Sequence, residues 1–205
     1  VSRRPSRWRP AWLLAAAPFL LCADCGFFAT REPPPVEQGS EGIWQPPTTA
    51  RIVVENLERA LEAPSFSDYE RALTEDFTFR PDDADVVQLE IERPGGLFEG
   101  WDREVERETA EAISQSADSL ALEMELFEET PIGATRLIKY RYTLTLIRSG
   151  GTTVYQGEAW FQIRQEVGDW LIYDWEDVAG TQATSWGLLK GRSRPAASGK
   201  TLPGG

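Results

Sequence analysis

With 205 residues, 41% of them hydrophobic and eight Trp, the chain is long enough for one packed domain with extensions and too apolar for a disordered polymer. Its formal net charge of −12 argues against a nucleic-acid partner, which needs Lys and Arg to displace counterions. Histidine is absent, which removes the Ser-His-Asp, Cys-His and His-rich zinc arrangements and leaves proton transfer to Asp, Glu, Tyr or Lys. No cofactor and no metal is implied.

The charge is unevenly spread. Arg3, Arg4, Arg7 and Arg9 open the chain, and Asp24 is the only acid before Gly26. The basic start leads into an apolar run from Ala11 to Leu21, about 11 residues and short of the roughly 20 that a membrane-spanning helix needs. Residues 1–25 thus have the form of an export signal. The Cys22 and Cys25 that follow resemble the lipobox of bacterial lipoproteins, in which a cysteine is lipidated after cleavage. Cys25, with Ala23 at −2 and Gly26 behind it, is the expected lipidation site. The sequence departs from that pattern with Cys22 at −3 and Asp24 at −1, where the family has Leu and a small residue. Cleavage near Ala23 or Ala29, an uncleaved anchor and modification at Cys22 stay open, as does a C-x-x-C redox pair, which has no thioredoxin-like βαβ pattern around it. These are the only two cysteines, so the domain that follows is held by packing rather than disulfides. Residues 26–47, with Pro33-Pro34-Pro35 and Pro46-Pro47, read as a flexible Pro-rich tether. The implied location is the bacterial cell envelope, with the membrane as first partner.

A domain is expected over residues 48–192. Thr48 or Thr49 caps a helix whose inward positions are Ile52, Val53, Leu57, Ala60 and Leu61, with the polar Asn56 in register. A short helix over Ser67–Thr74 places Tyr69 and Leu73 on one side, and Phe77–Arg80 forms a short strand. Pro81–Asp85 reads as an acidic solvated loop rather than a Ca²⁺ loop, since it lacks the Gly and terminal Glu of one. Trp101–Ser116 is a helix with Val105, Thr109, Ala112 and Ile113 inward, and with Asp102, Arg103, Glu106, Arg107 and Glu111 toward solvent.

The period then changes to two. Leu120, Leu122, Met124 and Leu126 alternate with polar residues, as do Ile138, Tyr140, Tyr142, Leu144 and Leu146 after a turn at Thr130–Gly133. Ser149-Gly150-Gly151 leads into a last hairpin, Tyr155–Asp177, which turns at Glu166–Asp169. Lys139 and Arg141 are expected to face Glu123 and Glu125 across the wet side. Helices first and a meander after them predict an α+β domain, with about three N-terminal helices packed on an antiparallel sheet. Residues 193–205, small and polar, are expected to form a disordered tail.

This element order, closing on the aromatic strand Trp170-Leu171-Ile172-Tyr173-Asp174-Trp175, resembles the NTF2-like (SnoaL-like) superfamily, whose bent sheet wraps a helix into a cone. The resemblance covers about residues 48–192 and extends to enzymes and non-catalytic members alike. It implies a cone pocket, for which Tyr69, Trp101, Tyr140, Tyr142, Trp160 and Trp175 are candidates, suited to a small apolar ligand. Asp76, Glu158 and Asp174 are the candidate acid/base carboxylates; no position matches a catalytic pattern of the family residue by residue, so no catalytic residue is assigned. Two functions follow. One is a non-catalytic, membrane-tethered binding or interaction module, with a homodimer through the sheet face as one form. The other is a SnoaL-like isomerase, dehydratase or cyclase working through an Asp/Glu base and Tyr donors. An open cone with a desolvated carboxylate facing a Tyr separates the second from the first.

Overall fold

The computed structural model describes residues 44–180 and 184–195. The segments expected as an export signal (1–25, with Cys25) and most of the expected tether (26–47) lie outside the described residues.

Thr49 caps α1 (Ala50–Glu62), its Oγ1 accepting from Ile52 N, and the helix buries Val53, Val54, Leu57, Ala60 and Leu61 along one face. Asn56 belongs to that buried face. Its Nδ2 donates to Gln45 O (2.6 Å) and its Oδ1 accepts from Gln45 N (2.9 Å), so it binds the last stretch of the Pro-rich segment to α1. Trp170 N donates to Pro47 O (2.9 Å), and Arg71 lies over the Trp44 ring. Residues 44–47 are therefore part of the packed body.

α2 (Phe66–Arg71) stops earlier than its sequence suggests, because Leu73 already begins β1 (Leu73–Arg80). The acidic stretch expected as a loop starts a helix instead, α3 (Asp83–Glu92), capped by Asp82 through Ala84 N (2.9 Å). α4 (Arg103–Gln115) follows, capped by Asp102 through Val105 N. Four helices thus precede the meander of β2 (Ser119–Ile132), β3 (Thr135–Arg148), β4 (Gly151–Glu166) and β5 (Asp169–Ala179), and a fifth, α5 (Trp186–Ser193), closes the body.

The sheet has the order β1-β5-β4-β3-β2 and is mixed, since β1 joins β5 in parallel while the other pairs are antiparallel. Register slips at Phe127 on β2 and at Tyr173 on β5 are bulges, which sharpen the twist and bend of the sheet. The first bulge resets the cross-strand charges: Arg141 stands opposite Glu125 as expected, but Lys139 meets Glu128 (3.0 Å). Inward positions of the sheet (Leu122, Ile138, Leu144, Leu146, Phe161, Ile163, Ile172, Trp175) join the helical core. The core centres on Trp175, whose ring meets Phe79 (5.6 Å), Phe161 (4.9 Å) and Trp186 (4.7 Å, edge-on).

Candidate functional site

The cone interior is the natural place for a site, and α5 fills it. Ser185 caps α5 by accepting from Leu188 N (2.9 Å), and Trp186 N donates to the Tyr142 hydroxyl (2.7 Å). Gly187 N donates to Asp177 Oδ2 (2.7 Å). A Cβ on Gly187 would stand 2.9 Å from carboxylate oxygens of both Asp177 and Asp85, so only glycine lets the helix approach these acids so closely. Further along, Lys190 is 1% exposed and its Nζ lies 2.7 Å from Oε1 of Glu106, itself fully buried. Tyr69 Oη donates to the same Oε1 (2.6 Å) and Trp101 Nε1 donates to Oε2 (2.7 Å).

The electrostatics follow from burial. Desolvation lowers the Lys190 ammonium to about 8, against the opposing pull of Glu106. Desolvation pushes Asp177 up to about 7, despite the Gly187 amide it accepts from. Asp85 is raised by burial too, with the Ser185 hydroxyl bond opposing, and Tyr69 and Tyr142 are both raised by burial and then by nearby carboxylates.

Five of the six pocket candidates face this interior: Tyr69, Trp101, Tyr140, Tyr142 and Trp175. Trp160 does not. The inward positions of β4 are Tyr155, Ala159, Phe161 and Ile163, so the pleat turns Trp160 outward, where Lys139 covers its ring (4.2 Å) and Nε1 donates to Glu158 (3.0 Å). Of the candidate acid/base residues, none reaches the interior. Glu158 stays with Trp160. Asp76 is exposed, pairs with Arg164 (2.6 Å) and is lowered by that bond. Asp174 accepts from Arg80 Nη2 (2.6 Å), Thr78 Oγ1 (2.9 Å) and Gln162 Nε2 (3.2 Å) on the outer side.

The interior carboxylates are instead Glu106, Asp177 and Asp85. Glu106 was expected in solvent, yet it shares a helical face with buried Thr109, Ala110 and Ile113, at the i, i+3, i+4, i+7 spacing that could have placed it inside. Lys190 carries no comparable local signal. Two surface clefts lie away from this centre: one of about 430 Å³ between α3 and the 96–99 loop, one of about 470 Å³ and charged, around Glu70, Arg103 and Arg107. Among the described residues no group of three or more metal-ligating side chains is assembled, and no helix is long and apolar enough to cross a membrane.

No family model matches the sequence, and no curated protein does. Solved structures do. A putative scytalone dehydratase from Novosphingobium aromaticivorans aligns over 66% of this chain and 88% of its own, with a TM-score of 0.51 at 9% identity. A putative aromatic ring hydroxylase from the same organism aligns over 66% and 92% (TM-score 0.50, 16% identity). A conserved protein from Planctomyces limnophilus aligns over 63% and 94% (TM-score 0.50, 13% identity). Likeness at such identities speaks to fold alone. The fold is an α+β cone of the NTF2-like (SnoaL-like) type.

Proposed function

We propose that this domain is a non-catalytic binding or interaction module, tethered to the membrane of the bacterial cell envelope through lipidated Cys25. The observation that carries the non-catalytic reading is the filled cone. Catalysis of the SnoaL type needs a substrate beside a carboxylate and a Tyr, and here Lys190 of the same chain stands against Glu106 while Trp186 packs on Tyr142 and Trp175. A small apolar ligand therefore has no room at this centre while α5 is docked.

The outer sheet face is the surface offered to a partner, with a second copy as the first candidate. It carries both signs of charge in alternation (Arg80, Lys139, Arg141 and Arg164 among Asp76, Glu125, Glu158 and Glu176) around half-buried Trp160, which suits self-complementary pairing. The basic and apolar start, the cysteines and the Pro-rich spacer support the tether.

The test expresses the full chain in a bacterial host, separates membrane from soluble fractions and measures mass in solution. Wild type is expected in the membrane fraction and Cys25→Ala in the soluble one; equal partition of both overturns the anchor. A monomer at high micromolar concentration overturns the pairing. Turnover of enolisable ketones or dehydration substrates, lost in Glu106→Gln, would replace the module by the SnoaL-like enzyme. The buried Asp177 beside Tyr142 is the observation that favours this second reading.

A further inference from the structure

Cations of this chain are overwhelmingly Arg: of 21 basic residues only Lys139, Lys190 and Lys200 are Lys. Arg is the usual choice for a buried ion pair, because its guanidinium stays charged and matches a carboxylate with two parallel bonds. The cation at the centre of the cone is nevertheless a Lys, the one basic side chain that can become a neutral amine nucleophile. Its Nζ lies 2.7 Å from Glu106 Oε1, but outside the angles of a hydrogen bond. Aromatic rings hold it there, with Trp175 at 3.2 Å and Phe79 at 3.9 Å from Nζ to ring centre.

We propose that Lys190 and Glu106 condense into an intramolecular isopeptide bond that fastens α5 covalently to α4. The nitrogen lone pair attacks Cδ of Glu106 and the C–N bond forms. The two protons that the ammonium nitrogen gives up pass to Oε1, the C–Oε1 bond breaks, and Oε1 leaves as water. Ammonium plus carboxylate becomes amide plus water, with no oxidant and no co-reactant. The carboxyl group is already dressed for this step. Trp101 Nε1–H, 2.7 Å from Oε2, is placed to stabilise the negative charge that develops on that oxygen, and the Tyr69 hydroxyl sits 2.6 Å from the oxygen that departs.

The surroundings drive the reaction forward. Both residues are buried beyond the reach of bulk water, so hydrolysis is disfavoured. Condensation also replaces two buried charges, each expensive to desolvate, by one neutral amide. Burial lowers the Lys190 ammonium to about 8, which supplies free amine at mildly alkaline pH. The molecule contains its own control. Lys139 and Glu128 also lie within ion-pair distance (3.0 Å), but Glu128 is open to water and neither Trp nor Tyr bonds its carboxylate, so that pair stays ionic. The inference is independent of whether the domain binds or catalyses.

The experiment is a tryptic peptide map of the full chain, purified folded and aged at mildly alkaline pH, then denatured. The bond joins Glu104–Arg107 to Gln165–Arg192, since trypsin no longer cuts after Lys190. The expected result is this branched peptide at the summed mass less one water, absent from a Lys190→Met variant. Quantitative recovery of free Glu104–Arg107 and Gln165–Lys190 overturns the proposal, as does a water loss that maps to any other pair. The wild-type map alone decides the question if the variant fails to fold.

Discussion

Asp174 and Asp177 stand on one strand, three residues apart, and the pleat of β5 sends them to opposite sides of the sheet. Outside, Asp174 is met by the Arg80 guanidinium, a Thr hydroxyl and a Gln amide. Inside, Asp177 Oδ2 accepts from the Gly187 amide, the Tyr142 hydroxyl stands beside the carboxyl group, and Oδ1 has no partner in the hydrogen-bond network. The outer carboxylate is answered by side chains that solvent also reaches, the inner one by the backbone of a helix that had to be brought to it. Acidic residues on the outer face therefore act as ordinary charge pairs. Those on the inner face tie α5 into the cone, and their energetics depend on burial.

The comparison is broken most directly by removing one member of the inner ion pair. Glu106→Ala strands Lys190 and two donors in the core, so it is expected to cost about 3–5 kcal/mol in urea denaturation. Asp76→Ala, which removes an exposed ion pair, is expected to cost less than about 1 kcal/mol. A pair of tryptophans repeats the contrast without charge. Trp175→Ala opens the centre of the core and should cost about 3–5 kcal/mol. Trp160→Ala loses a stacked Lys139 on the outer face and should cost about 1 kcal/mol or less. Equal losses for the two tryptophans would dissolve the distinction between the faces.

The two faces were not equally legible in the sequence. Strands β2 to β5 announce themselves through period-two patterning, and the inward Tyr140 and Tyr142 follow from it. α1 is legible because six apolar positions fall on one face. α3 is not, because Leu89 is its only buried apolar residue while Val87 and Ile91 face solvent, and a helix with no apolar stripe leaves no periodic trace. The interior carboxylates were missed for a related reason. A charged residue on an otherwise suitable face reads as solvent-facing until its partner is known, and the partner of Glu106 arrives from α5, 84 positions later in the chain. Tertiary pairing of this kind has no local signature.

Proton titration sharpens the comparison, since the buried Asp177 and the exposed carboxylates respond to pH with opposite sign. Asp177 has its folded value raised from 3.8 to about 7, so its favourable contribution is complete below about pH 4 and is lost as pH rises through 7. Asp76 and Glu92 are lowered by Arg164 and Arg192, so their contributions are present at neutral pH and fade on acidification. Lys190 as the free ammonium, before any condensation with Glu106, is lowered from 10.5 to about 8 and runs against Asp177: it adds stability that is present above its unfolded value and lost as pH falls through 8. Asp177→Asn keeps an oxygen for the Gly187 amide and removes the titration. It is expected to flatten the stability profile between about pH 4 and pH 7, with a relative gain in stability at the upper end. An unchanged slope in chemical denaturation across that range would mean that the inner carboxylate does not titrate there.

The smallest effect is expected where neither face is involved. Glu166 and Asp169 are joined by a two-residue turn in which Val167 (φ 49°) and Gly168 (φ 100°) both adopt positive φ. A tight hairpin of this hand favours Asn-Gly, because a β-branched side chain is strained in the left-handed region. Val167 is fully exposed, so nothing in the packing holds it in place against that strain. Val167→Asn should therefore stabilise the domain by about 0.5–1 kcal/mol. Because the turn does not touch the Glu106–Lys190 pair, its gain should add to the loss in Glu106→Ala without coupling. A double variant whose stability departs from that sum would show that the hairpin tip communicates with the cone interior, and that the two faces are less independent than their side chains suggest.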